Sequence, residues 1–263
     1  MKIALAQFSV ERGHPEINLK QIAGFAAEAR AAGAGVLFLP EMCTTGFNWS
    51  KNRDLLGASG EIVDQVIRLA KTHQLSICAS FLEQTESGRP ANTLYYIGTE
   101  GQILAKYRKI HLFTLFHEEA HVEPGDAMVT AETELGTVGC AICYDLRFPE
   151  LFRTNTLAGA VVHVLPAAFP HPRLDHWRTL IRARAIENQA FVIATNQCGF
   201  EGHGDDVGDI HYFGHSMVVD PWGTILLEAG EAPGLFFASI NPGQAKEVRD
   251  HMTALQDRRP ELY

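Results

Sequence analysis

The chain has 263 residues, of which 46% are hydrophobic and 20% charged, with a formal net charge of -9. That balance suits one folded domain with a sizeable core and disfavours nucleic acid or an anionic membrane as partner. With no apolar run long enough to cross a bilayer, no N-terminal signal pattern and five scattered cysteines (43, 78, 140, 143 and 198), a reducing, cytoplasmic setting is expected.

In chain order, residues 1–7 read as a first strand and residues 16–32 as a helix. Residues 36–39, Val-Leu-Phe-Leu, are apolar without interruption, as in a strand buried on both faces, and end at Pro40 and Glu41. A helix over 60–73 is followed by strands over 75–81, 93–97 and 102–107, with residues 98–101 as a hairpin turn. On an extended chain Lys106 and Arg108 share one face, and Tyr107 and Lys109 the other. Residues 138–143 read as a buried strand ending on Cys143, with Pro149 placed for the first turn of a helix. Further strands are expected over 161–165, 191–196, 216–219, 224–228 and 235–240, a helix over 176–189, and a hairpin turn over 221–223. Strand and helix alternate without a linker, which predicts one α/β domain over 1–263 with mixed sheets.

Three side chains stand at strand ends. Cys143 on a strand-to-helix turn would be lifted off the sheet edge, with the Tyr144 backbone N–H beside it to receive an oxyanion. Its alternative is a buried structural cysteine. Glu41, poorly solvated at the end of its strand, would have a raised pKa suited to both accepting and donating a proton; otherwise it is a surface glutamate. Lys109 follows basic residues that solvation on an edge strand would also explain. A carboxylate, an ammonium and a thiol together make a complete set for acyl transfer. On the parity of a continued strand, the small Gly139 and Ala141 share the face of Cys143 and leave it uncrowded.

Two short patterns compete with that reading. His117-Glu118-Glu119-Ala120-His121 matches the H-E-x-x-H pattern of zinc peptidases, but its surroundings leave room for little more than one helical turn. Cys140 and Cys143 have redox-pair spacing, yet on a strand their sulfurs point to opposite faces.

Glu41 in Leu-Pro-Glu-Met, Lys109 in Tyr-Arg-Lys-Ile-His-Leu-Phe and Cys143 in Cys-Tyr-Asp-Leu-Arg-Phe-Pro-Glu together resemble the carbon–nitrogen hydrolases of the nitrilase superfamily. The likeness continues through residues 166–169, 176–177, 182–189 and 214–223 and so spans nearly the whole chain. The resemblance implies a four-layer α-β-β-α sandwich with two mixed β-sheets, a homodimer formed through outer helices, and residues 255–263 as a C-terminal arm. It also implies a Glu41, Lys109, Cys143 triad in which Glu41 takes the thiol proton and the Lys109 ammonium favours the thiolate, with a thioester intermediate and no metal or cofactor. A further site-shaping glutamate is expected at Glu118, with Glu119 as second choice.

For the substrate, Phe47, Trp49, Phe116, Phe169 and His171 fall in or near segments bordering the site, and Ala168 lies in one of them. Arg147 could bind a substrate carboxylate or pair with Asp145, Glu150 or Glu187. Asp145-Leu146-Arg147 and Gly214-His215-Ser216 most resemble the branch of the family that includes the ω-amidases, which release ammonia from small carboxylate-bearing amides. Deaminated-glutathione amidases and N-carbamoyl amino acid hydrolases are the neighbouring alternatives. A non-catalytic binding or scaffold protein on the same fold is the alternative of another class.

Overall fold

The computed structural model describes residues 1–201 and 209–262. Their elements in chain order are β1 (Lys2–Gln7), α1 (Pro15–Ala31), β2 (Val36–Phe38), α2 (Trp49–Leu55), α3 (Ser59–His73), β3 (Ser76–Gln84), β4 (Pro90–Ile97), β5 (Ile103–Arg108) and α4 (Glu118–His121). There follow β6 (Thr130–Thr133), β7 (Gly136–Cys140), α5 (Pro149–Leu157), β8 (Val162–Ala167), α6 (Leu174–Asn188), β9 (Phe191–Asn196), β10 (Cys198–Glu201), β11 (Ile210–Phe213), β12 (Met217–Val219), β13 (Ile225–Glu228), β14 (Gly234–Ser239) and α7 (Gln244–His251).

One six-stranded sheet runs β14-β1-β2-β3-β4-β5 and the other β13-β12-β9-β8-β7-β6. Each has a parallel centre, β1-β2-β3 and β7-β8-β9, with antiparallel strands outside it. The layers follow from side-chain alternation. Along β1, Ile3 and Leu5 face a core shared with Val138, Val164 and Ile193 of the second sheet, whereas Ala4 and Ala6 pack with Ile22 and Ala26 of α1 and Val66 and Ala70 of α3. On the far side, Trp177, Ile181 and Ala185 of α6 and Phe152 of α5 cover the second sheet. The result is the expected α-β-β-α sandwich, with two helical layers outside two mixed sheets.

The expected helices and hairpin turns form within a residue or two of their predicted ends, and Pro149 stands in the first turn of α5. Three differences matter. The strand expected over 138–143 ends at Cys140, because residues 143–147 coil into a 3-10 helix. The face of Gly139 is also not open: a Cβ there would lie 2.8 Å from Asn155 Cβ and 2.9 Å from His163 Nδ1, so glycine is required by a helix packed onto the strand. Strands β6, β10 and β11 and helices α2 and α7 gave no clear apolar period; α7, for instance, buries only Ala245 and Val248. Within the C-terminal segment, Pro260–Leu262 form an exposed 3-10 turn, and Tyr263 lies outside the described residues.

Candidate active site

The side chains that meet between the sheets are delivered by strand ends. After β2, Leu39 N–H donates to Cys78 O (2.9 Å) and Glu41 N–H to Ala167 O (3.3 Å), so the Pro40-Glu41 segment bridges the first sheet to the end of β8 in the second. Alternation along β5 continues into Lys109. Lys106 and Arg108 point outward to the Glu83 carboxylate, at 2.7 Å each, while Tyr107 and Lys109 point inward and are buried. Lys109 is fixed by its own N–H to Asn92 O (2.9 Å). Cys143 begins the 3-10 helix with φ of 44°, a left-handed conformation that costs a non-glycine residue about 1–2 kcal/mol. Met42 beside Glu41 (φ 47°) and His117 beside Glu118 (φ 51°) are held the same way, so half of the described non-glycine residues with positive φ border the site.

The cluster is dry and almost fully paired. Lys109 Nζ donates to Glu41 Oε1 and Glu118 Oε2, both at 2.7 Å, and all three side chains are at most 1% exposed. Asn92 Nδ2 donates to the same carboxylates, to Glu41 Oε1 at 2.8 Å and Glu118 Oε1 at 3.1 Å. The Ala168 N–H donates to Glu41 Oε2 (3.0 Å) and the Phe113 N–H to Glu118 Oε2 (2.7 Å). Such pairing is what allows ionised groups to remain in the interior, where an unpaired charge is expensive.

The protonation states follow. Burial pushes the Glu41 carboxyl above the usual carboxylate range; the Lys109 ammonium pulls it down and the Glu118 carboxylate adds to the rise. Burial works against the Lys109 ammonium, but Glu118 and Glu41 more than offset it, and its pKa is raised. The Cys143 thiol lies beside Glu41, and burial followed by the Glu41 charge raises its pKa well above the ordinary value, against the opposing pull of Lys109. The Lys109 ammonium pulls the thiol pKa down, as expected of a group that favours the thiolate, while burial and the Glu41 charge act against it, and Glu41 is in reach to take the proton as attack occurs.

A second network carries the Cys143 turn. Buried Asp145 accepts from the Ile142 N–H (2.8 Å) and the Tyr107 hydroxyl (2.7 Å), and also from the His111 N–H (3.1 Å), with His111 Nδ1 at 2.7 Å. Its partners flank Cys143 on one side and Lys109 on the other. The first N–H groups of a helical turn lack an intrahelical acceptor, and Tyr144 holds that position here, next to the thiol.

A narrow recess opens on Cys143, lined by Phe113, Tyr144, Ala168, Phe169, Pro170 and Arg173. A family model described as carbon-nitrogen hydrolase matches residues 2–250. The chain belongs to the carbon–nitrogen hydrolase family. It is 37% identical to the 2-oxoglutaramate amidase of Bacillus subtilis over 99% of this chain and 98% of that protein. It is also 37% identical to a deaminated glutathione amidase of Synechocystis, over 92% of each. A solved carbon–nitrogen hydrolase from Helicobacter pylori superposes with a TM-score of 0.94 at 26% identity, covering 100% of this chain and 97% of that one.

In this carbon–nitrogen hydrolase, Glu41, Lys109, Cys143 and Glu118 come together as the sequence suggested, and Glu119 is exposed. Ala168, Phe169 and Tyr144 line the cavity. Phe47, Trp49 and Phe116 instead form a buried aromatic cluster, and Phe116 touches the cavity only through Phe113, whose ring centroid is 4.8 Å away. Arg147 makes none of the three ion pairs considered for it. Its guanidinium lies over the Phe169 ring (5.3 Å) and near His176 Nδ1 (3.4 Å), while Asp145 is used by its own network and Glu187 by Arg184 (2.8 Å). The H-E-x-x-H match dissolves, since Glu118 turns inward to Lys109 and His121 stacks on Trp49 (5.1 Å). Cys140 and Cys143 are both free thiols; Cys140 faces the core, where burial pushes its pKa up to about 12. Sequence reasoning missed Asn92, Phe113 and Arg173. Asn92 sits within an apolar strand, where a buried amide is the one signal that polar partners must be waiting.

Proposed function

We propose that this protein is a thiol-dependent amidase that releases ammonia from a small carboxylate-bearing amide, in the manner of an ω-amidase. The observation that carries the reading is Cys143 beside Glu41, with Glu41 and Glu118 sharing the Lys109 ammonium in a water-poor site. Glu41 takes the Cys143 proton as sulfur attacks the amide carbonyl, and the oxyanion is met by Lys109 and the Tyr144 N–H. Glu41 then protonates the departing nitrogen. Ammonia leaves, and a thioester remains on Cys143. Water, deprotonated by Glu41, attacks the thioester; the acid departs and the thiol regains its proton. Glu118 keeps Lys109 charged and aimed, and the cycle calls on no cofactor.

The substrate class rests on charge. Arg147 and Arg173 stand over the aromatic walls of the recess at Phe169 and Phe113, with contacts to His176 and to the His171 carbonyl in place of carboxylates. Two half-buried guanidiniums beside a nucleophile suit a compact amide bearing a carboxylate. The amidase activities named for the two curated relatives fit this class, with 2-oxoglutaramate as the first choice and deaminated glutathione as the alternative. An N-carbamoyl amino acid is a third candidate of the same chemistry. We take residues 1–263 as one domain working in the cytoplasm as a homodimer, with 255–263 as an arm toward the partner.

Ammonia release from 2-oxoglutaramate, deaminated glutathione, N-carbamoyl amino acids and simple nitriles, with wild type beside Cys143→Ala, tests the reading. Turnover of one acid amide that disappears in the variant supports it. If no substrate turns over and Cys143 shows no preferential alkylation by iodoacetamide, the activated nucleophile is wrong and a binding or scaffold role takes its place.

A further inference from the structure

His171, His211 and Glu231 lie outside the buried cluster and have no part in the proposed chemistry, yet they converge. One ligand atom from each falls within 4.8 Å of the other two. The imidazole centroids of His171 and His211 are 4.6 Å apart, and His171 Nε2 is 4.0 Å from Glu231 Oε1. Their side chains are accessible, but the backbones that present them are fixed. His171 N–H donates to His211 O at 2.9 Å, next to an antiparallel bridge between Pro170 and Tyr212, so the two histidines are cross-strand neighbours. The ring of Phe213 stands edge-on to His171 at 5.5 Å. Glu231 is held from both sides: the fully buried Gln7 amide donates to the carbonyls of Gly230 (2.7 Å) and Ala232 (2.8 Å) that flank it.

We propose that His171, His211 and Glu231 form a binding site for a divalent transition-metal ion of the zinc type at the rim of the substrate pocket. Two imidazole nitrogens and one carboxylate oxygen are a borderline donor set that suits Zn²⁺, Co²⁺ or Ni²⁺ and not the oxygen-seeking Ca²⁺ or Mg²⁺. Bonds of about 2.0–2.1 Å to a tetrahedral ion require donor atoms roughly 3.3 Å apart. Rotation of exposed side chains on pinned backbones supplies the remaining approach. Three protein ligands leave one position for water. The ion would sit beside the catalytic chemistry and not within it. Pro170 lines the Cys143 cavity, and the His171 carbonyl accepts from Arg173 Nη1 at 3.1 Å, so the ligands connect directly to the pocket wall.

Co²⁺ titration of the Cys143→Ala protein, in which the active thiol cannot bind metal, followed by visible d–d absorption and by displacement with Zn²⁺, tests the site. This reading does not depend on the amidase assignment, since it needs no turnover. A saturable spectrum at one equivalent, weakened on the order of tenfold or more by His211→Ala and by Glu231→Gln in the same background, is the expected result. Both substituted side chains are exposed, so the thermal midpoint should stay put and report that the fold is intact. Absence of a saturable band, or an affinity that His211→Ala leaves unchanged, overturns the proposal, because surface imidazoles acting singly would bind weakly and independently.

Discussion

The Tyr107 hydroxyl donates to the Asp145 carboxylate across 2.7 Å, joining the strand that delivers Lys109 to the turn that delivers Cys143. The same carboxylate holds the Ile142 N–H, one residue before Cys143. Tyr107→Phe should therefore loosen the two halves of the site together. We expect a loss of about 1–2 kcal/mol in unfolding free energy by urea titration. The turnover number should fall on the order of tenfold with little change in KM, since the substrate pocket is untouched.

Glu118→Gln keeps the shape of the cluster but leaves Lys109 with one carboxylate instead of two. Lys109 and the Phe113 N–H both donate to the oxygen that is lost as an anion. A drop of about 10²–10³ in kcat is expected, comparable to removal of an oxyanion donor. Steady-state kinetics beside Glu119→Gln checks it, because the exposed Glu119 should give wild-type rates.

In the proposed cycle Glu41 is the base, so activity requires its ionised form. Because its carboxyl is raised above the usual carboxylate range, kcat/KM should fall as pH drops through that raised value, with the acid limb on the near-neutral side of an ordinary glutamate. A pH–rate profile on a substrate whose own ionisation lies far away measures the limb. Glu41→Gln should abolish activity across the profile without restoring it at high pH.

Folding stability should carry its own pH signature from His163. Burial, with the nearby positive charges of Arg249, Arg153 and Arg184, lowers its pKa from 6.5 to about 3. The unfolded chain binds this proton below pH 6.5 and the folded one does not. The stability is thus fully present above 6.5 and lost as pH falls toward 3, at up to about 1.4 kcal/mol per pH unit. Denaturant midpoints between pH 7 and pH 4 test the slope, and His163→Gln should flatten it.

Substrate charge can be tested at Arg147 and Arg173. Each replacement by Ala should raise KM for a carboxylate-bearing amide on the order of 10–100-fold, as for loss of a charge-assisted hydrogen bond. Turnover of a neutral amide of similar size should change little. Equal losses on both substrates would show that the arginines shape the pocket and do not read the carboxylate.

The sequence by itself determined most of the strands and helices and the chemistry-bearing groups, whereas the four-layer order was implied only by the family resemblance. Alternation in strands and the 3.6-residue period in α1, α3 and α6 are local properties, and a glutamate, a lysine and a cysteine at strand ends are visible without coordinates. The tertiary structure alone decided how those groups behave. Glu41 meets the Ala168 N–H across 127 positions and Asn92 across 51, and no local pattern encodes contacts of that range. The choice of Glu118 over Glu119 depended on how a four-residue helix enters the site, and the freedom of Arg147 on where Asp145 and Glu187 had already been drawn. The raised pKa of Cys143 has the same origin: an ammonium and a carboxylate act on the thiol in opposite directions, and burial, a property of the folded whole, is the largest influence.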